Sequence, residues 1–135
     1  MVKQEDRFDY KGYPCVILFM SHGHRCGYVG VPNDRKYDID NIMCHGGVTY
    51  CKEHLHFQED KNTLWIGFDT GHYEDGRDYE CIKKYFGDNE IVMKNLDFII
   101  KVQNGKNTGS IRTLEYCKEE CKNIVEQIRG VKNNG

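Results

Sequence analysis

The chain has 135 residues, the size of one domain, with 30% charged residues, a mean hydropathy of −0.72 and a formal charge of −2. That balance gives no overall basic field for duplex DNA or anionic lipid. There is also no apolar run of about 18 residues to span a bilayer.

Met1 to Asp6 lacks the apolar core of a signal peptide, so the expected location is the cytoplasm. Seven cysteines are an odd number and contain no CxxC pair. They read as small buried thiols of a reducing compartment, rather than a disulfide framework or a zinc ribbon. In chain order, Tyr13 to Met20 (YPCVILFM) reads as a buried strand, Ser21-His22-Gly23 as a turn and Arg25 to Val31 as the returning strand of a hairpin. Gly27 and Gly30 in that strand point to a bulge or to close approach by a ligand or another backbone. Pro32 to Asn41 is a polar, aspartate-rich loop. Gly47 to Cys51 and Thr63 to Phe68 read as two further strands, joined by Lys52 to Asn62. Asp78 to Phe86 reads as a short helix ending at Gly87, and Ile91 to Val102 is ambiguous, with strand favoured at Phe98 to Val102.

The last element is the clearest. Ile111, Leu114, Cys117, Cys121, Ile124, Val125 and Ile128 recur at helical spacing, with Ser110 as N-cap and Gly130 as stop. Gly105 to Ser110 before it is a polar turn and not a P-loop, although Arg112 is placed to meet an anion. The predicted fold is α+β: a small antiparallel sheet packed against a long C-terminal helix, with one short additional helix. It forms one domain, 1–135, frayed over Val131 to Gly135.

The chemistry gathers in the middle of the chain. His45-Gly46-Gly47-Val48-Thr49-Tyr50 and Trp65-Ile66-Gly67-Phe68-Asp69-Thr70-Gly71-His72 both place histidine and glycine beside aromatic strands. His22/His24 and His54/His56 are HxH pairs, but no HExxH motif or acidic cluster accompanies them, so neither a metal nor a cofactor is expected. His45, Asp69 and His72 offer acid–base chemistry if the two strands are neighbours, yet no catalytic set is complete. Arg25, the glycine N–H groups and the faces of Tyr28, Tyr50, Trp65 and Phe68 offer phosphate contacts and stacking for a base.

Arg25-Cys26-Gly27-Tyr28-Val29-Gly30-Val31-Pro32, together with the two central segments and Thr113 to Gln127, resembles a widespread group of small phage and prophage proteins. The likeness covers roughly residues 24 to 128, and only the combination of motifs is specific. The group more often carries cysteine where this chain has Thr70, and a double tryptophan where it has Leu64-Trp65. The resemblance implies a phage setting, in the cytoplasm of an infected or lysogenic bacterium. In setting and size the chain is similar to anti-defence sponges, oligomers that enclose a cyclic dinucleotide or cyclic ADP-ribose signal.

The expectation is therefore a non-enzymatic, homo-oligomeric sponge for a small nucleotide-derived signal, with no long nucleic acid and no membrane as partner. His45, Gly46, Gly47, Thr49 and Tyr50 form one wall of its site, and Trp65, Phe68, Asp69 and His72 the other. Gly27, Tyr28 and Arg25 complete it, Arg25 by pairing with a phosphate. The alternatives are a hydrolase or transferase using His45 and His72, and a protein–protein inhibitor of a host factor.

Overall fold

The computed structural model describes residues 1–55, 58–59, 62–103 and 109–130. The terminal 131–135 expected to fray, residues 104–108 of the polar turn and His56 lie outside them. Strands β1 (Val2–Tyr10), β2 (Tyr13–Met20) and β3 (Arg25–Pro32) run up and down through tight turns. After a 3₁₀ turn (Ile39–Asn41) come β4 (Tyr50–Lys52), the small hairpin β5 (His54–Leu55) and β6 (Gln58–Glu59), and then β7 (Thr63–Asp69). β8 (Asp75–Gly76) precedes α1 (Tyr79–Phe86) and α2 (Glu90–Val102), and β9 (Ser110–Ile111) precedes α3 (Leu114–Ile128).

The main sheet has five strands in the order β1-β2-β3-β7-β4, with every neighbouring pair antiparallel. The architecture is α+β, as the sequence predicts. β1 was not among the predicted strands; its residues VKQEDRFDY are largely polar because it is the sheet edge, where Val2, Phe8 and Tyr10 are only partly buried against the cores.

Side chains alternate across a strand, so each strand serves two cores. Cys15, Ile17, Val29, Val31, Ile66 and Phe68 meet Cys117, Cys121, Ile124 and Val125 of α3. Val16, Leu18, Tyr28 and Trp65 project from the opposite face and are sealed with Leu55. α1 and α2 close over Phe19 with Ile82, Phe86, Val92 and Leu96. Burying each of these large apolar side chains contributes about 1.5–3 kcal/mol.

Three expectations are corrected. Ile91 to Val102 is helical: Asn89 caps α2 by accepting from the Val92 N–H at 2.9 Å, and Val92 and Leu96 are buried one turn apart. The molecule thus has two helices besides α3, where one was expected. α3 starts at Leu114, with Thr113 as its N-cap, because Ser110 and Ile111 are used in β9 pairing in parallel with β8. Among the described residues, no helix is long and apolar enough to cross a membrane.

Candidate functional site

β8 and β9 hold two otherwise distant segments side by side, pairing Asp75 with Ser110 and Gly76 with Ile111. Arg112 follows directly, and its Nε donates to Asp75 Oδ1 at 2.8 Å. The anion that Arg112 meets is therefore a carboxylate of this chain.

Asp75 also gathers two histidines. His45 Nε2 lies 2.9 Å from its Oδ2, and His72 reaches the same oxygen with its backbone N–H (3.1 Å) and its Nδ1 (3.2 Å). The two imidazole centroids are 5.5 Å apart. The Asp75 side chain is 0% exposed, that of His45 11% and that of His72 31%, so the site is graded from a sealed carboxylate to an accessible imidazole. Burial opposes the charge on Asp75, but the bonds from Arg112 and His45 and the His72 N–H outweigh it and hold its pKa at about 2. At neutral pH it is a carboxylate fixed between imidazoles.

α3 positions the other side of His45. Tyr116 Oη is 2.7 Å from His45 Nδ1, and Glu120 Oε1 accepts from the His45 backbone N–H at 2.7 Å. One turn and two turns on, Asn123 and Gln127 both donate to the Met43 carbonyl. The helix therefore has two working faces, an apolar stripe on the sheet and a polar stripe that clamps residues 43–45. Burial keeps the Tyr116 phenol protonated by pushing its pKa up. Its hydroxyl serves as donor or acceptor to either tautomer of His45.

Gly46 connects this loop to His72. Its φ of +70° is left-handed, and a Cβ there would overlap the His72 ring. Asp69 closes the outer edge, with Oδ1 3.6 Å from His72 Nε2 and accepting from the Gly71 N–H at 2.9 Å. Beside His72 opens a cleft of about 270 Å³ lined by His24, Tyr73, Asp75, Arg77 and Gln103. Burial, helped by Arg77, lowers the pKa of His24, leaving it neutral at pH 7. Tyr73 stands 88% exposed at this cleft. Ring nitrogens of His45 and His72 and a carboxylate oxygen of Asp75 all lie within 4.8 Å of one another, which is the one cluster of this kind among the described residues.

The predicted walls do not come together in this way. Every N–H of the Arg25 guanidinium has an acceptor inside the protein: Glu5 on Nε and Nη2, Asp78 and the Arg112 carbonyl on Nη1, and Cys81 Sγ on Nη2. At 3% exposure Arg25 is closed to a phosphate. Trp65 and Phe68 are three residues apart on one strand and lie in opposite cores, while Tyr28 is buried with Trp65.

The strand glycines give room to neighbouring side chains: a Cβ on Gly27 would overlap the Phe68 ring, and one on Gly30 would meet Pro14, Thr63 and Trp65. Tyr50 packs edge-on against Tyr28 at 5.2 Å, and Thr49 donates its N–H to Gly67. Nothing lies within 4 Å of a Cβ added to Gly47. Thr70 is buried and exchanges hydrogen bonds with the Arg25 backbone. His45, Gly46, Asp69 and His72 thus converge, whereas Arg25, Gly27, Tyr28, Trp65 and Phe68 belong to the scaffold. His22 and His24 face each other at 6.4 Å between ring centroids, and His24 alone lines the cleft.

Asp75, Tyr116 and Glu120 were missed. Two signals for them exist in the sequence: Tyr116, Glu120, Asn123 and Gln127 recur at helical spacing as a second, hydrogen-bonding stripe. A cation such as Arg112 just before a helix N-terminus is also unfavourable unless an anion accompanies it. No protein-family model matches this chain, nor does any curated protein or solved structure.

Proposed function

We propose that the chain is a small hydrolase or transferase whose centre is His45, His72 and Asp75, acting on a small anionic substrate of the phosphorylated, nucleotide-derived class. The observation that carries this reading is the convergence of two imidazoles, from separate loops, on one buried carboxylate beside an open cleft. Imidazole is the side chain most suited to taking up and releasing a proton in general acid–base chemistry, and the Asp75 carboxylate fixes the orientation of both rings. Arg77 brings positive charge to the cleft, and the exposed Tyr73 ring offers a face for a base.

In the hydrolytic form, His72 Nε2 takes a proton from water as the water oxygen bonds to the phosphorus, with His72 Nδ1 held by Asp75. The bond from phosphorus to the leaving-group oxygen breaks, and the His72 imidazolium returns the proton to that oxygen. The resemblance adds a phage or prophage setting and the host cytoplasm as the place of action.

Incubation with a panel of cyclic dinucleotides, cyclic ADP-ribose and simple phosphomonoesters, followed by heat denaturation and mass spectrometry of the supernatant, tests this. The expected result is a cleaved or transferred product. Release of an intact ligand in stoichiometric amount would instead make the protein a sponge.

A further inference from the structure

We infer that His45, His72 and Asp75 hold a divalent transition-metal ion of the zinc type. This rests on the catalytic reading above and replaces its free imidazole base by a metal-bound water, since a ring that ligates the ion through one nitrogen orients it and does not itself take up the proton. The donor set is two imidazole nitrogens and one carboxylate oxygen, a combination that zinc and its neighbours take and that magnesium and calcium do not favour. With metal–ligand distances near 2.0–2.1 Å, a tetrahedral site sets its donor atoms roughly 3.3 Å apart. His45 Nε2 and His72 Nδ1 already stand 2.9 and 3.2 Å from Asp75 Oδ2. All three donor atoms lie within 4.8 Å, so closing the set needs only small side-chain rotations.

The surroundings have the form of an outer coordination sphere. Ligating histidines are oriented through their other nitrogen, and ligating carboxylates through their other oxygen. Here Tyr116 Oη meets His45 Nδ1 at 2.7 Å, and Arg112 Nε meets the second Asp75 oxygen at 2.8 Å. Asp69 Oδ1 stands 3.6 Å from His72 Nε2. With the ion in place the His45 tautomer carries its proton on Nδ1, and the phenol oxygen accepts it. Three protein ligands leave a coordination position for water or substrate, on the side where His72 meets the cleft. Among the described residues, His22, His24 and His54 are not part of this cluster.

The test uses tag-free protein stripped with EDTA and titrated with Zn²⁺ by calorimetry and with Co²⁺ by visible absorption. One equivalent binds, with the intense d–d bands of a low-symmetry site. His72→Ala, partly exposed and outside the core, weakens binding at least roughly 100-fold, and Asp75→Asn does the same; Tyr116→Phe weakens it roughly 10-fold. His54→Ala leaves it unchanged. Absence of a one-equivalent site, or binding unaffected by His72→Ala, overturns the inference. Failure to bind, together with turnover that His72→Ala abolishes, removes the metal and leaves direct imidazole catalysis standing. A one-equivalent site that His72→Ala removes, in protein without turnover, keeps the metal and removes the hydrolase.

Discussion

Arg25 is the residue whose role diverges most from its appearance in the sequence, and Gly46 is the one whose role its neighbouring glycine does not share. Arg25 beside glycine reads as a phosphate ligand, yet its whole fork is taken up by Glu5, Asp78, Cys81 and the Arg112 carbonyl. Removing the cation would strand the buried Glu5 carboxylate, whose side chain is 4% exposed. Arg25→Ala should therefore destabilise the fold by about 3–5 kcal/mol in urea denaturation. Gly46 and Gly47 look interchangeable in sequence and are both left-handed, but only Gly46 abuts His72. Each alanine substitution should cost about 1–2 kcal/mol of backbone strain. Gly46→Ala should also displace His72 and abolish turnover, while Gly47→Ala should retain it. Equal activity loss in the two variants would contradict the placement of His72.

At the scale of elements, what was legible followed from periodicity. The apolar stripe of α3 and the runs of β2, β3 and β7 declare themselves because each buries one face against a core. Trp65 and Phe68 were grouped as one wall even though their odd separation sends them to opposite faces of a strand; that parity was present in the sequence. α2 was misread because its β-branched residues favour strand, while Asn89 and the four-residue step from Val92 to Leu96 favour helix, and packing on Phe19 decides between them.

α3 also reaches the first hairpin from the other flank of its apolar stripe, where Glu126 accepts from Tyr10 at 2.7 Å and from Lys11 at 2.6 Å. Hydrogen bonds from Lys11 and Tyr10 hold the pKa of Glu126 down at about 2, below the ordinary 4.5. Its folded-state pKa is depressed, so its stabilisation is present above about pH 4.5 and is lost as pH falls toward 2. Glu126→Gln should flatten that acid limb of the pH–stability curve; an unchanged limb would show that the contact contributes nothing. Thiol labelling provides a second check on the packing. Cys51 is exposed and should react with a thiol reagent in the native state, whereas Cys15, Cys117 and Cys121 are buried and should react only on unfolding.

For the whole molecule, the site is a product of topology. His45, Asp75 and Tyr116 lie 30 and 71 residues from one another along the chain, measured from His45. The short parallel pairing of β8 with β9 and the docking of α3 bring them together; α3 declares its apolar face, but the two-residue pairing leaves no strong local signal. His45 and His72 are visible because each stands at one end of a motif; Asp75 is not, because the short polar stretch that forms β8 carries no strand or motif pattern.

On the proposed reading, the His45–His72–Asp75 constellation works on a substrate and is more than a structural tie. Product formation by His72→Ala, measured beside the wild type, separates the two: a working centre loses roughly two to four orders of magnitude in rate, whereas a rate equal to that of the wild type would leave His72 a structural residue only.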